Sequence, residues 1–214
     1  MINYIDKKNT YIDKNVEIGD NCLIYPGVTI MGKTIIGNNC TIYPNSFIKD
    51  SIIGNNTTIY TSYIINSQLG NNNTIGPFAN VRENNYTADS VKIGSFVEIK
   101  NCNISIDSKV PHLAYLGDTH IGKNCNIGCG VITANFDGKR KNETNISDNV
   151  FIGCSSTLVA PLNIGENVFI AAGSTITDNI TNNNFAIARS KQETKLRKNT
   201  SSIVNNFWKC LNFF

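Results

Sequence analysis

The feature that most constrains this chain is a period of six. Stepping by six from Ile12 lands on Ile18, Ile24, Ile30, Ile36, Ile42 and Ile48. After a slip the pattern resumes at Ile53, Ile59 and Ile65, then at Leu69, Ile75 and Val81. It misses at Thr87 and continues at Ile93 and Ile99, then at Ile121 and Ile127. The last run is Ile146, Ile152, Leu158, Ile164, Ile170 and Ile176. Neither an amphipathic helix nor an alternating strand has this period. Internal periodicity of this kind marks a solenoid.

The other positions of the hexad agree. Glycine often follows the aliphatic residue, as at Gly19, Gly37, Gly54, Gly122 and Gly165. The position four after it is small or β-branched, as at Cys22, Val28, Thr34, Cys40, Ser46 and Cys125. Asn and Asp crowd the residues between. The reading is one short strand and one turn per hexad, with three hexads closing a triangular coil. The aliphatic and small residues point inward, and Gly and Asn take the strained corner conformations. Some nine coils stacked about 4.8 Å apart are expected to form a prism of roughly 40 Å. Cys22, Cys40 and Cys125 are expected to be buried packing residues. Two stretches break the period, about 105–119 and about 133–143, and both are expected to be loops on one edge.

Composition excludes several classes. The 214 residues hold 34 Asn and 31 Ile, too much aliphatic content for a disordered chain. The formal net charge is +3, too weak to argue for nucleic acid. It divides into a body of −2 over residues 1–180 and a tail of +5 over 181–214. No apolar run approaches a membrane span, and no export signal opens the chain. The seven cysteines lack zinc spacing, so reduced thiols in the cytoplasm are expected. His112 and His120 are the two histidines, so a three-His zinc site is not expected.

The segments IGPFANVR (75–82), IGSFVEIK (93–100), HLAYLGD (112–118), CNIGCGVITANFDGK (125–139), VFIGCSSTLVAPLNIG (150–165) and AIARSKQ (186–192) carry a family resemblance. Together with NTYIDKNVEIGDNCLIYPG near the start, they resemble the acetyltransferase half of a bifunctional enzyme. That enzyme is N-acetylglucosamine-1-phosphate uridyltransferase/glucosamine-1-phosphate N-acetyltransferase. The resemblance covers about residues 1–192. It implies an all-β fold, a left-handed parallel β-helix of hexapeptide repeats over residues 1–180, followed by the tail at 181–214. The family's uridyltransferase half and its Gly-rich loop have no counterpart in the sequence, so neither uridyl transfer nor its magnesium site is expected.

The resemblance also implies roles. His112 matches the general base that takes a proton from the amine of glucosamine 1-phosphate as it attacks acetyl-CoA. Glu98 is a candidate to orient it, and a backbone N–H or the Asn135 amide a candidate oxyanion donor. Arg82 and Lys100 match phosphate-contacting positions. Their spacing of eighteen independently puts one above the other. Tyr115 and Asn126 match the remaining sugar-binding positions. Cys129, Asn135, Phe136, Cys154, Ala172 and Arg189 match coenzyme positions. Cys129, Phe136 and Cys154 depart from the family's residues there, and Pro111 replaces a Gly before the His. Acetyl-CoA is the implied co-substrate, no metal is expected for the transfer, and a homotrimer is implied. Two alternatives stand beside this reading. One is an acyltransferase with a different amino-sugar acceptor. The other is a non-catalytic scaffold or regulatory partner of a separate sugar nucleotidyltransferase. The aromatic end, NNFWKCLNFF, is read as a cap on the open end of the solenoid, with docking on a membrane surface or a partner, or disorder, as the alternatives.

Overall fold

In the computed structural model, residues 2–195 are described; the aromatic C-terminal segment lies outside them. Each hexad gives a strand of two or three residues followed by a turn, as the period requires. Strands pair in parallel with the strand three further along, or two where a long strand rounds an edge or near the end of the ladder, so the chain winds as a coil with three flat faces. The first face stacks eleven strands, from Asn3–Tyr4 to Phe185–Ala186. The second runs from Tyr11–Ile12 to Thr175–Ile176, and the third from Glu17–Ile18 to Leu162–Ile164. Two longer strands, Glu98–Ile104 and Tyr115–Ile121, continue round the edge between the second and third faces. The ladder continues past residue 180: Phe185–Ala186 pairs with Phe169–Ile170, and the Thr175 N–H donates to the Ala188 carbonyl.

The aliphatic positions form three inward columns. On the first face Ile24, Ile42, Ile59, Ile75, Ile93 and Val110 stack in register, and Ile127, Ile152 and Ile170 continue the column. All of these are fully buried. Burying one such side chain is worth roughly 1.5–3 kcal/mol, and the columns repeat that gain on every coil. The small positions fill the corners. Cys22, Cys40 and Cys125 are buried, and their thiols donate to the Gly37, Gly54 and Ser147 carbonyls at 3.1, 3.2 and 3.0 Å. Burial pushes the neighbouring Cys102 thiol up to about 12, so it is no nucleophile.

Two expectations are corrected. The inward residue of strand Tyr63–Ile65 is Ile64, in register with Ile48 and Val81, while Ile65 faces outward. That side of the coil is five residues long, and a one-residue slip exchanges the faces of a strand. Residues 105–119 are likewise no loop. They form a regular coil with strands Lys109–His112 and Tyr115–Ile121, and Ile104, Val110, Leu116 and Ile121 point inward. Its side from Leu116 to Ile121 is also five residues long, as is the one that precedes it, Ile99 to Ile104. The first face therefore carries eleven strands where nine coils were expected. Thr87, the apparent miss, is buried in the column and accepts from Asn73 Nδ2 at 2.8 Å. The second interruption is a real insertion: Phe136 and Lys141 pair antiparallel as a small hairpin.

The abundant asparagines have a structural use at the edge between the third and first faces. Asn21, Asn39, Asn56 and Asn72 hold φ near 58°, a conformation Asn accepts more readily than other side chains do. The residue before each bonds across coils. The N–H groups of Asp20, Asn38, Asn55 and Asn71 donate to Oδ1 of Asn38, Asn55, Asn71 and Asp89, at 2.7–2.8 Å.

Candidate functional site

Most residues singled out from sequence gather on two faces and the edge between them, with Asn135 and Phe136 at the far edge of the second face. On the second face Val81 pairs with Ile99, which places Arg82 beside Lys100, one coil apart. Lys100 in turn lies beside Gly117, and Glu98 beside Tyr115. Arg82 Nη1 donates to Glu98 Oε1 at 3.0 Å, and Lys100 Nζ to Glu83 Oε1 at 2.8 Å. Arg82 Nε lies 3.8 Å from Glu83 Oε2. Glu98 also accepts from Asn80 Nδ2 at 3.3 Å. The bond to Glu98 raises the Arg82 pKa, and the bond from Lys100 holds the Glu83 carboxyl below the usual carboxylate range.

Glu98 was expected to orient His112. Its partners are Arg82 and Asn80; it opens a second-face strand, whereas His112 ends a first-face strand. The His112 side chain is exposed. His120 faces outward on the third face between Asn103 and Asn145, away from that edge.

Asn135 is buried, and its amide donates to Asp118 Oδ2 at 2.5 Å. Asp118 also accepts from Asn101 Nδ2 at 2.6 Å, so one carboxylate fixes two amides from neighbouring coils. Gly117 makes this cluster fit. A β-carbon there would lie 2.5 Å from Asn135 Nδ2 and 2.7 Å from the Tyr115 hydroxyl. Phe136 follows, largely exposed, at the base of the insertion hairpin. The hairpin is pinned by Asp137, whose carboxylate accepts from the Lys139 and Arg140 N–H groups at 2.8 Å each and from Asn142 Nδ2 at 3.0 Å. Those bonds hold its pKa down to about 2.

The edge between the first and second faces collects the remaining residues. The registers Ser95 with His112, Lys109 with Asn126, Asn126 with Phe151, and Phe151 with Phe169 put His112, Cys129, Cys154 and Ala172 on successive rungs of that edge. The Cys129 carbonyl accepts from the Ser155 N–H at 2.7 Å, and the Cys154 carbonyl from the Gly173 N–H at 2.8 Å. Arg189 Nη1 donates to the Ala172 carbonyl at 2.8 Å, extending the row. Asn126 faces outward on the first face, between Lys109 and Phe151. Phe151 begins an exposed stack with Phe169 and Phe185.

The same edge changes character at His112. Its left-handed positions run through Gly27, Asn45 and Thr61, then Phe78, Phe96 and Leu113 up to the histidine, and Gly130, Ser155 and Gly173 beyond it. Phe78, Phe96 and Leu113 are 54, 60 and 58% exposed. The two phenylalanine rings stack with centroids 5.2 Å apart. Pro111 also has a visible effect. In neighbouring coils the equivalent N–H bonds the next rung, as Gly76 does to Ile93 O and Gly128 to Ile152 O. Proline has no such donor. Its carbonyl crowds Gly94 so closely that no β-carbon fits there.

Sequence reasoning missed Glu83, Asp118, Gly94 and Gly117. Each lies sixteen to eighteen residues from a residue it serves, so counting one coil from the chosen residues would have found them. Among the described residues no group of three or more His, Cys, Asp or Glu is arranged to hold a metal ion. No helix among them is long and apolar enough to cross a membrane.

Comparison with known proteins agrees with the repeat. Residues 15–50 and 143–178 match the model for the bacterial transferase hexapeptide (six repeats). The chain is 50% identical over 194 residues to the bifunctional protein GlmU of Clostridium tetani, covering 91% of this chain and 43% of that protein. It is also 50% identical over 194 residues to that of a Geobacillus species, covering 91% and 42%. The chain thus spans about two fifths of these relatives' length. Among solved structures, Arabidopsis UDP-N-acetylglucosamine acyltransferase aligns with a TM-score of 0.59 at 20% identity, over 86% of this chain and 71% of that one. That likeness is one of fold. The chain is therefore a hexapeptide-repeat parallel β-helix, similar over nine tenths of its length to the C-terminal region of the bifunctional GlmU proteins.

Proposed function

We propose that the chain is an acetyl-CoA-dependent N-acetyltransferase acting on glucosamine 1-phosphate. The observation that carries this reading is convergence. The matched residues are scattered from Arg82 to Arg189, yet apart from Asn135 and Phe136, at the far edge of the second face, they fall on one edge of the prism and the two faces flanking it.

In this reading the sugar phosphate binds the Arg82 and Lys100 cations, with Tyr115 and Asn126 against the sugar. Acetyl-CoA lies along the edge past Cys129, Cys154 and Ala172, with its phosphates toward Arg189. The small residues on that stretch leave room for it. His112 takes a proton from the amine, whose nitrogen attacks the thioester carbonyl carbon. The tetrahedral oxyanion needs a donor. The Asn135 amide has two N–H groups and commits one to Asp118, leaving the second free to serve. Collapse breaks the C–S bond, and the proton held by His112 passes to the departing thiolate. Acetyl transfer by this route needs no metal.

A homotrimer completes the site. Asn126 lies on the first face and Arg82, Lys100 and Tyr115 on the second, and adjacent faces of a triangular prism turn away from each other. A cleft holding both sets requires a second copy. The exposed row Phe78, Phe96 and Leu113 supports this, since bulky residues held at positive φ cost about 1–2 kcal/mol each without some compensating contact. Substituting Phe96→Asp should give a smaller species by light scattering; an unchanged trimer would remove this row from the interface.

His112→Ala tests the reaction. Turnover with glucosamine 1-phosphate, followed by release of the CoA thiol, should fall by roughly 10²–10⁴-fold. Transfer at the parental rate would remove His112 as the base.

A further inference from the structure

The second face holds two cations with two carboxylates already on them. Glu83 stands across both, with one oxygen 2.8 Å from Lys100 Nζ and the other 3.8 Å from Arg82 Nε. Glu98 takes the remaining side of Arg82 at 3.0 Å. Arg82, Lys100, Glu83 and Glu98 together carry no net charge. Glu98 is anchored from a second direction by Asn80 Nδ2. The Glu83 carboxylate is held by Lys100 and by its own backbone N–H, and its side chain is 39% exposed.

We propose that Glu83 is an internal anion that occupies the phosphate position, so that a phosphate-bearing acceptor binds Arg82 and Lys100 by displacing it. The inference rests on the phosphate role given to those cations under the proposed function. Three observations argue for it. Glu83 contacts both cations at once, as a bound phosphate would. Its two oxygens are divided between them, which copies the spacing of phosphate oxygens. Its carboxyl is held below the usual range by Lys100, so it stays ionised throughout the neutral range and pH does not release it. The consequence is selectivity. A dianion with oxygens to spare for both cations can exchange with Glu83. A neutral sugar or a weak monoanion gains too little to do so.

The test is Glu83→Gln, which keeps the shape and removes the charge. Binding of inorganic phosphate is measured by calorimetry on the full chain, alongside the KM for glucosamine 1-phosphate and for glucosamine. Removing one charge beside a dianion at a solvent-facing site should tighten phosphate binding and lower the KM for the phosphorylated acceptor by roughly 3- to 30-fold. The KM for glucosamine should stay put. Adding Lys100→Gln to the Glu83→Gln variant should abolish the gain. If Glu83→Gln leaves phosphate affinity unchanged or weakens it while parental protein binds phosphate, the displacement idea is wrong and Glu83 merely positions Lys100. If neither protein binds phosphate, the phosphate role of these cations fails as well. Circular dichroism of each variant checks that the solenoid is intact.

Discussion

Gly94→Ala places a methyl group where the structure has none to spare. The added carbon would stand 1.9 Å from the Pro111 carbonyl oxygen and 2.6 Å from its carbon. Both are backbone atoms, so no rotamer change relieves the contact. Reaching an ordinary separation requires the two strands to part by about 1.5 Å. The bonds on either side, Lys92 N–H to Ser108 O at 3.1 Å and Leu113 N–H to Ser95 O at 2.9 Å, do not survive such a movement. Each lost bond costs about 1 kcal/mol net, and disturbed packing of Ile93 on Val110 brings the total to about 3–5 kcal/mol. For a chain of this size that lowers the melting temperature by roughly 6–20 °C, read by far-ultraviolet circular dichroism. Gly130→Ala is the comparison. Its β-carbon has 3.4 Å to the nearest atom and suffers only from φ of 74°, costing about 1–2 kcal/mol. A Gly94→Ala protein that melts with the parent, or no lower than Gly130→Ala, would refute the reasoning. Because the displaced strand ends at His112, acetyl transfer should fall even where the protein remains folded.

Three other perturbations address separate features. Ile59→Ala opens a cavity in the middle of an inward column and should cost about 2–5 kcal/mol by chemical denaturation; a loss under about 1 kcal/mol would mean the column collapses around the gap. Asn55→Ala removes the acceptor for the Asn38 N–H and should cost about 0.5–1.5 kcal/mol, with no change at all counting against the cross-coil bonds. The Asp137 carboxyl is depressed in the folded state, so its support of the insertion hairpin is complete above the ordinary value of 3.8 and is lost as pH falls through about 2. Amide resonances of residues 136–142 should lose their dispersion in that window, and a titration at the ordinary value would contradict the pinned geometry.

The repeat was legible because each coil needs an inward aliphatic residue, and Ile24, Ile30, Ile36 and Ile42 occur where counting by six puts them. Counting fails where a side of the coil has five residues. Ile53, Ile64, Ile104 and Ile121 each arrive one residue early, and a fixed period of six reads the last two as a broken stretch. The site was legible in its stacked pairs, since Arg82 and Lys100 differ by a full coil. It was illegible in its side-chain partners. Glu98 precedes Lys100 by two residues and lies sixteen after Arg82, so several partners were within reach; the choice of Arg82 depends on which edge His112 ends on. The change from bulky to small residues along the edge at His112 is visible only once the left-handed positions of successive coils are aligned.

A stacked coil sets its distances in whole rungs. His112, Cys129, Cys154 and Ala172 follow one another along a single edge, each step about 4.8 Å. The separation between the histidine and the arginine at the far end is thus a count rather than a continuous length. Adding or removing one coil between them would change it by one rung, with no intermediate value available. Any molecule laid along this edge is measured in that unit, and a family of such prisms can alter the length it accepts only by jumps.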